Sequence, residues 1–200
     1  MNVGRPRRKL GASVDGDEIP PPRRRPKQHL WTIGHSTRTI VEFVELLQAH
    51  GIRQIVDVRT IPRSRHNPQF NEQTIAASLQ PAGVDYVRLA DLGGLRHTTP
   101  DSKNLGWHNR SFRGFADYMA TPEFANGLNA LEKIARKKKT AIMCAEAVPW
   151  RCHRSLIADA LTKQQWDVFD IMSSKTAAQH RVTPFLKVRP GILTYPIPKT

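Results

Sequence analysis

A chain of 200 residues with 39% hydrophobic content suits one folded domain with flanking segments. Two cysteines exclude the disulfide framework of small secreted proteins, and the absence of a signal-like or ~20-residue apolar run predicts a cytoplasmic protein with no membrane partner. The formal net charge of +14 favours an anionic partner, which is either nucleic acid or a small anionic substrate such as a nucleotide.

The N-terminal segment 1–29 is rich in charge and proline. It holds five prolines and eight basic residues, and few large apolar ones. Such a segment buries too little apolar surface to offset its chain entropy, so we predict that it is disordered. Two interpretations stay open for it, a solvated tail and an electrostatic arm for nucleic acid.

The rest of the chain, 30–196, is predicted to form a single α/β domain. In the first half of this region the pattern predicts strand 30–33, a helix from the capping box at 39–42 to 51, strand 52–58, helix 71–79 and strand 84–89. A long loop follows at 91–111. After it the pattern predicts helix 112–119, a helix from 122 to the basic run 136–139, strand 140–144, helix 155–161 and strand 166–171. Strands that alternate with helices indicate a three-layer, Rossmann-like fold, with a mostly parallel sheet of about five strands flanked by helices.

Polar residues follow three of these strands at their carboxyl ends. They are Gly34 and His35 after the first strand, Asp57, Arg59 and Arg63 at and after the second, and Cys144 and Glu146 after the fourth, whose following helix opens with Cys152, His153 and Arg154. In open α/β sheets ligands bind beyond the carboxyl ends of the strands. The sequence therefore predicts one site at this edge of the sheet.

Each residue type suggests a role in that site. The candidate catalytic residues are Glu146 as a general acid or base, together with Cys152, His35 and Cys144. The candidate anion ligands are Arg59, Arg63, Arg154 and His153, because guanidinium groups and a helix N-terminus favour phosphate or carboxylate. Gly34 and Asp57 are predicted to shape the turn and to orient neighbouring side chains. An inert buried thiol at Cys144 and a structural Asp57–Arg59 ion pair are the alternatives.

Segment 144–159 closely resembles the domain of unknown function 488 family. Further segments agree with the same family, namely 32–36, 56–59 with 62–64, 92–94, 111–119 and 183–185. The resemblance covers about 30–195, and it implies a three-layer α/β domain of bacterial type. It transfers motif positions to this chain but no activity, because the family is named for lacking one.

Three functions stay open at this stage. The first is an enzyme that acts on, or a protein that binds, a phosphorylated or nucleotide-like anion. The second is a non-enzymatic nucleic-acid binding protein, which would use the basic segment 1–29 and the run 136–139. The third is a metal or thiol redox site, for which Cys144, Cys152, His153 and His35 would supply ligands.

Motif spacing weighs against two specific forms of these functions. Thiol phosphatase loops use Cys-x5-Arg, whereas Arg151 lies seven positions after Cys144 with no glycine between them. The Cys-x7-Cys-His spacing matches no standard zinc pattern, so no cofactor is predicted, although a metal site is kept as an alternative.

Overall fold

The computed structural model describes Met1 and residues 27–189 and 191–198. Most of the tail predicted over 1–29 therefore lies outside the described residues. The helices are α1 Ile40–Ala49, α2 Glu72–Leu79, α3 Arg110–Tyr118, α4 Pro122–Ala135 and α5 Arg154–Lys163. The strands are β1 His29–Gly34, β2 Gln54–Asp57, β3 Asp85–Arg88, β4 Thr140–Cys144, β5 Asp167–Ile171, β6 Ala177–Gln179, β7 Lys187–Arg189 and β8 Ile192–Thr194. None of the helices in this part of the chain is long and apolar enough to cross a membrane.

Six strands form one mixed sheet in the order β3-β2-β4-β1-β5-β6. The first five pair in parallel, and β6 runs antiparallel to β5 at the edge. This confirms the predicted α/β fold with a mostly parallel sheet. The sixth strand and the separate β7–β8 hairpin were not predicted. Each of these strands has only three residues, and among their nine residues only Thr194 is buried, so none carries a buried apolar run that could mark it in the sequence.

Helix boundaries follow local signals that the sequence carries. Thr39 and Glu42 form the predicted capping box at the start of α1, and Phe43 and Leu47 on that helix are buried. At the start of α4 the Thr121 side chain accepts a hydrogen bond from the amide of Phe124.

The sheet is covered on both faces, which gives the predicted three layers. On one face α1 and α2 pack against strand residues such as Ile33, Ile55 and Met143. On the other face α3, α4 and α5 pack against residues such as Val58 and Ile142. The central strands are therefore buried from both sides, and every residue of β2 and β4 is buried.

Strand register brings the carboxyl ends of β1, β2 and β4 to one edge. Gly34 pairs with Cys144, and Asp57 pairs with Met143. The amide of His35 then donates to the carbonyl of Cys144 over 3.0 Å. The basic run lies at the opposite edge, where the carbonyl of Lys139 accepts hydrogen bonds from the backbone at the start of β2.

Candidate functional site

Two thiols and one imidazole converge where β4 and α5 approach each other. The Sγ atoms of Cys144 and Cys152 and a ring nitrogen of His153 all lie within 4.8 Å of one another. The Nδ1 atom of His153 is 3.8 Å from the Cys144 sulfur and 3.7 Å from the Cys152 sulfur. Both cysteines are buried and unpaired by any disulfide.

The imidazole of His153 is held in one orientation. Its Nε2 lies 2.9 Å from the carbonyl oxygen of Val58, just beyond β2. A carbonyl only accepts hydrogen bonds, so Nε2 carries a proton and donates it. In the neutral ring Nδ1 is then unprotonated, and its lone pair is directed at the two sulfurs.

Close packing also fixes this ring. Phe115 of α3 meets it edge-on, with ring centroids 4.9 Å apart. On another side the backbone of Gly94 lies so close that an added Cβ would overlap with the imidazole. The Gly93-Gly94 pair seen in the sequence therefore allows a loop to pass directly against His153.

The two thiols differ in acidity. A hydrogen bond from the Cys152 thiol lowers the pKa of Cys144 well below its usual value, and His153 and the Arg154 charge act in the same direction. Burial raises the pKa of Cys152 well above its usual value, and the neighbouring Cys144 sulfur adds to that rise. Cys144 is thus the more acidic thiol of the pair and Cys152 the less acidic one.

The cluster opens into a cavity of about 320 Å³, which we call the thiol cavity. It is lined by Arg59, Thr60, Ile61, Gly94, Leu95, Ser111, Phe112, Cys144, Ala145, Glu146, Arg151, Cys152 and His153. The side chains of Glu146 and Arg151 are exposed, and neither has an ion-pair partner among the residues that the structure describes. The cavity thus combines buried sulfur and nitrogen ligands with one acidic and one basic side chain in solvent.

A buried ion pair supports the wall beside the cluster. The guanidinium of Arg59 contacts both carboxylate oxygens of Asp57, and it also donates to the carbonyl of Phe70. Tyr86 donates its hydroxyl to the same carboxylate over 2.7 Å. Since Asp57 is fully buried and Arg59 nearly so, the pair neutralises its own charge inside the protein.

His35 belongs to this support rather than to the cavity. Its Nδ1 donates to the carbonyl of Ser36 at 2.8 Å, and its Nε2 accepts from Arg59 at 3.2 Å. Burial lowers the pKa of His35, so the ring is neutral. Its ring also stacks on Phe70 with centroids 4.1 Å apart. With both nitrogens engaged, His35 is suited to positioning Arg59 and not to transferring a proton.

Arg154 fixes the loop after β4 through hydrogen bonds to its backbone. It is buried, and it donates to the carbonyls of Glu146 at 2.6 Å and Ala147 at 3.0 Å. Gly34 presses against the same loop, because an added Cβ there would overlap with the carbonyl of Glu146. The guanidinium therefore binds backbone oxygens instead of facing the cavity.

The predicted site residues thus fall into three groups. Those that line the thiol cavity are Arg59, Cys144, Glu146, Cys152 and His153. Four buried residues contact Arg59 or Glu146 of the cavity wall without lining the cavity themselves, namely Gly34, His35, Asp57 and Arg154. Arg63 lies apart, exposed in another cavity beside the first turn of α2. The catalytic and anion-binding roles given to these residues stay predictions.

Sequence reasoning did not assign site roles to Thr60, Gly94, Ser111 and Arg151, which also line the thiol cavity. Gly94 and Ser111 lie in segments that the family resemblance had already marked. Arg151 lies between the two cysteines in the sequence. It was considered only as the arginine of a thiol phosphatase loop, whose spacing it does not match. Thr60 carried no signal, because its side chain acts through a contact distant in the chain, the hydrogen bond that it accepts from the amide of Leu95.

Comparison with known proteins gives one match. A family model described as "Domain of unknown function DUF488" matches residues 39–161. That range contains every residue that lines the thiol cavity, together with three of the six strands of the sheet, β2, β3 and β4. No match to the chain was found among curated proteins or among solved structures.

Proposed function

The chain belongs to the DUF488 family of domains of unknown function, and from the geometry of its thiol cavity we propose that this cavity is the site of a metal-dependent enzyme. Cys144, Cys152 and His153 bind one divalent ion of the zinc type. The fourth ligand position faces the cavity, where a small anionic substrate binds. The observation that carries the proposal is the convergence of two sulfurs and one imidazole nitrogen on a single point.

The distances between ligand atoms support this proposal. A tetrahedral ion with metal–sulfur bonds of about 2.3 Å and a metal–nitrogen bond of about 2.0 Å places sulfur and nitrogen about 3.6 Å apart. The separations from His153 Nδ1 to the two sulfurs are 3.8 Å and 3.7 Å. An ion therefore fits between the three atoms with little movement of the side chains.

The surroundings of His153 support it further. Metal-bound histidines usually donate their second ring nitrogen to a carbonyl or carboxylate, which fixes the tautomer. The Val58 carbonyl takes that position here.

The ligand set also favours chemistry over a purely structural role. Structural zinc sites are closed by four protein ligands, whereas catalytic sites keep one position open. Within the described residues the cluster supplies three ligands, and a cavity of about 320 Å³ adjoins them. A zinc-type ion at such a position polarises a substrate oxygen or acidifies a bound water.

Two exposed side chains complete the proposed chemistry. Glu146 lines the cavity, and its carboxylate accepts the proton released when water attacks the substrate. Arg151 lines the same cavity and pairs with the anionic group of the substrate. Arg59 does not take this part, because its charge is already neutralised by Asp57.

Metal analysis of the full chain tests the proposal. Protein purified under reducing conditions should hold about one equivalent of zinc, and Cys152→Ser and His153→Gln should each fall below about 0.1 equivalent. His66→Gln is the matched control, because His66 is exposed and outside the cavity. Less than about 0.1 equivalent in the unmodified protein, together with no thiolate-to-cobalt absorption after Co²⁺ addition, would refute the metal site.

A second candidate function is a thiol redox site, which the unequal acidity of the two cysteines favours. The Cys144 thiolate would attack a disulfide substrate, releasing one substrate thiol and forming a mixed disulfide. Cys152 would then attack the Cys144 sulfur of that mixed disulfide, releasing the second substrate thiol and forming the Cys144–Cys152 disulfide. In total two protons and two electrons would pass from the protein to the substrate. Mass analysis after treatment with oxidised glutathione distinguishes the candidates, because a metal-loaded site resists forming the Cys144–Cys152 bond.

A further inference from the structure

A second cavity, of about 510 Å³, adjoins the segment that follows β4. We call it the aromatic cavity; it is lined by Trp107, Pro149, Trp150, Ser155, Asp170, Met172, Ala178, Gln179, His180, Arg181, Thr183, Pro184 and Phe185. We propose that it binds the base of a nucleotide whose phosphate lies in the thiol cavity. This rests on the proposed function, because it names the class of anion that the thiol cavity would accept.

The two cavities share a wall. Within segment 149–155, Pro149, Trp150 and Ser155 line the aromatic cavity. From the same segment Arg151, Cys152 and His153 line the thiol cavity. A ligand that is planar at one end and anionic at the other therefore meets both sets of groups across one short stretch of chain.

Ring surfaces on two sides of the aromatic cavity suit a planar ligand. Trp107 is fixed by neighbouring rings, with centroids 5.0 Å from Phe185 and 4.7 Å from Phe112. Trp150, in contrast, is 64% exposed, which is unusual for so large an apolar group. Bases stack on such rings whatever their sequence, because every base has a π-face.

Polar groups at the inner end favour a base over an aliphatic chain. Asp170 and His180 line the cavity, and they hydrogen-bond to each other at 3.3 Å. Gln179 and Thr183 add an amide and a hydroxyl. An alkyl ligand would cover the Gln179 amide and the Thr183 hydroxyl without pairing them, whereas the edge of a base offers donors and acceptors to both.

Charge around the shared wall favours a phosphate. Arg151 and Arg181 are exposed on either side of it, and neither has an ion-pair partner among the described residues. The chain as a whole carries +14. The volume of about 510 Å³ lies within the range of small-molecule sites, ~300–1,000 Å³. Together these features match a mononucleotide better than either a neutral ring or a bare anion.

Calorimetric titration of the metal-containing full chain tests the inference. The probes are AMP, GMP, CMP and UMP, with ribose 5-phosphate as the ligand that has the phosphate and lacks the base. At least one nucleotide should bind about tenfold or more tightly than ribose 5-phosphate, in keeping with the strength of base–aromatic stacking. Equal affinity for all five, or no binding of any, overturns the inference.

Variants separate the base from the phosphate. Trp150→Ala should reduce the affinity for nucleotide to that for ribose 5-phosphate, and it should leave the affinity for ribose 5-phosphate unchanged. Trp150→Phe should keep most of the preference for nucleotide over ribose 5-phosphate. Arg151→Ala should weaken nucleotides and ribose 5-phosphate alike. Val41→Ala is the control, because Val41 is 62% exposed on α1 and outside both cavities. No effect of Trp150→Ala would overturn the placement of the base.

Metal content measured on the same samples separates the two proposals. A nucleotide preference in protein that holds less than about 0.1 equivalent of zinc and shows no thiolate-to-cobalt absorption leaves the base site standing and refutes the metal centre. A full equivalent of metal together with equal affinity for nucleotide and ribose 5-phosphate supports the metal centre and refutes the base site.

Discussion

His180 should make the stability of this protein depend on pH in a range where few groups titrate. The imidazole lies 2.9 Å from Asp159 and 3.3 Å from Asp170, and 5% of its side chain is exposed. Burial alone would lower the pKa of His180, but hydrogen bonds to the two carboxylates outweigh it and raise the pKa from 6.5 to about 9. At about 1.4 kcal/mol per tenfold, the difference between 6.5 and about 9 corresponds to about 3 kcal/mol.

The sign follows from the direction of the change. Because the folded-state pKa lies above the unfolded value of 6.5, the contribution of His180 is fully present below about pH 6.5 and is lost as pH rises through about 9. The lowered pKa of Cys144 acts oppositely, since its thiolate favours the folded state increasingly as pH rises toward the usual thiol value. A difference between two variants is therefore needed to isolate His180.

Urea unfolding followed by tryptophan fluorescence, in the presence of reductant, gives that difference. The gap in unfolding free energy between the wild type and His180→Gln should shrink by about 3 kcal/mol from about pH 6 to about pH 10. His108→Gln, at an exposed position, should show no such trend. A gap that stays constant across this range would show that His180 is not held as an imidazolium between the carboxylates.

Three further substitutions test the geometry of the site. Gly94→Ala should displace the adjacent imidazole and reduce zinc content severalfold, which metal analysis measures. Gly34→Ala should push the Glu146 carbonyl, and the loop after β4 that carries it, away from β1. This should lower the unfolding free energy in urea by about 2 kcal/mol, and an unchanged value would contradict the close approach. Asp57→Asn leaves Arg59 buried without its counter-charge, so it should destabilise by about 3 kcal/mol or more in the same assay.

The sequence was informative about the fold because the main elements carry their own signals. The five parallel strands contain apolar or β-branched residues between helices, caps and glycines, and each was predicted to within a few residues. The small strands near the C-terminus carry no such signal, since β6 is fixed by pairing with β5 and its own side chains are mostly exposed. Pairing partners distant in the chain are not visible in a local pattern.

For the site, position could be predicted more readily than role. The strand-end rule grouped Cys144 with His153, and ligand atoms of these two residues lie within 4.8 Å of each other. It could not show that Arg154 turns inward to two carbonyls, or that both nitrogens of His35 are occupied. Those outcomes depend on which backbone oxygens come within reach after folding. The same limit applies to Arg63, which follows Arg59 by four residues and still lies in a different cavity.

The strand order has a consequence for how the chain reaches its native state. β4 lies between β1 and β2, so the first two strands of the chain have no contact with each other in the sheet. Until residues 140–144 leave the ribosome, the inner edges of β1 and β2 lack the strand that joins them. The contact between His153 and Val58, which spans 95 residues, forms later still. Assembly of the thiol cavity is thus a non-local event in folding, because β4 and the segment after it must pack against the end of β2.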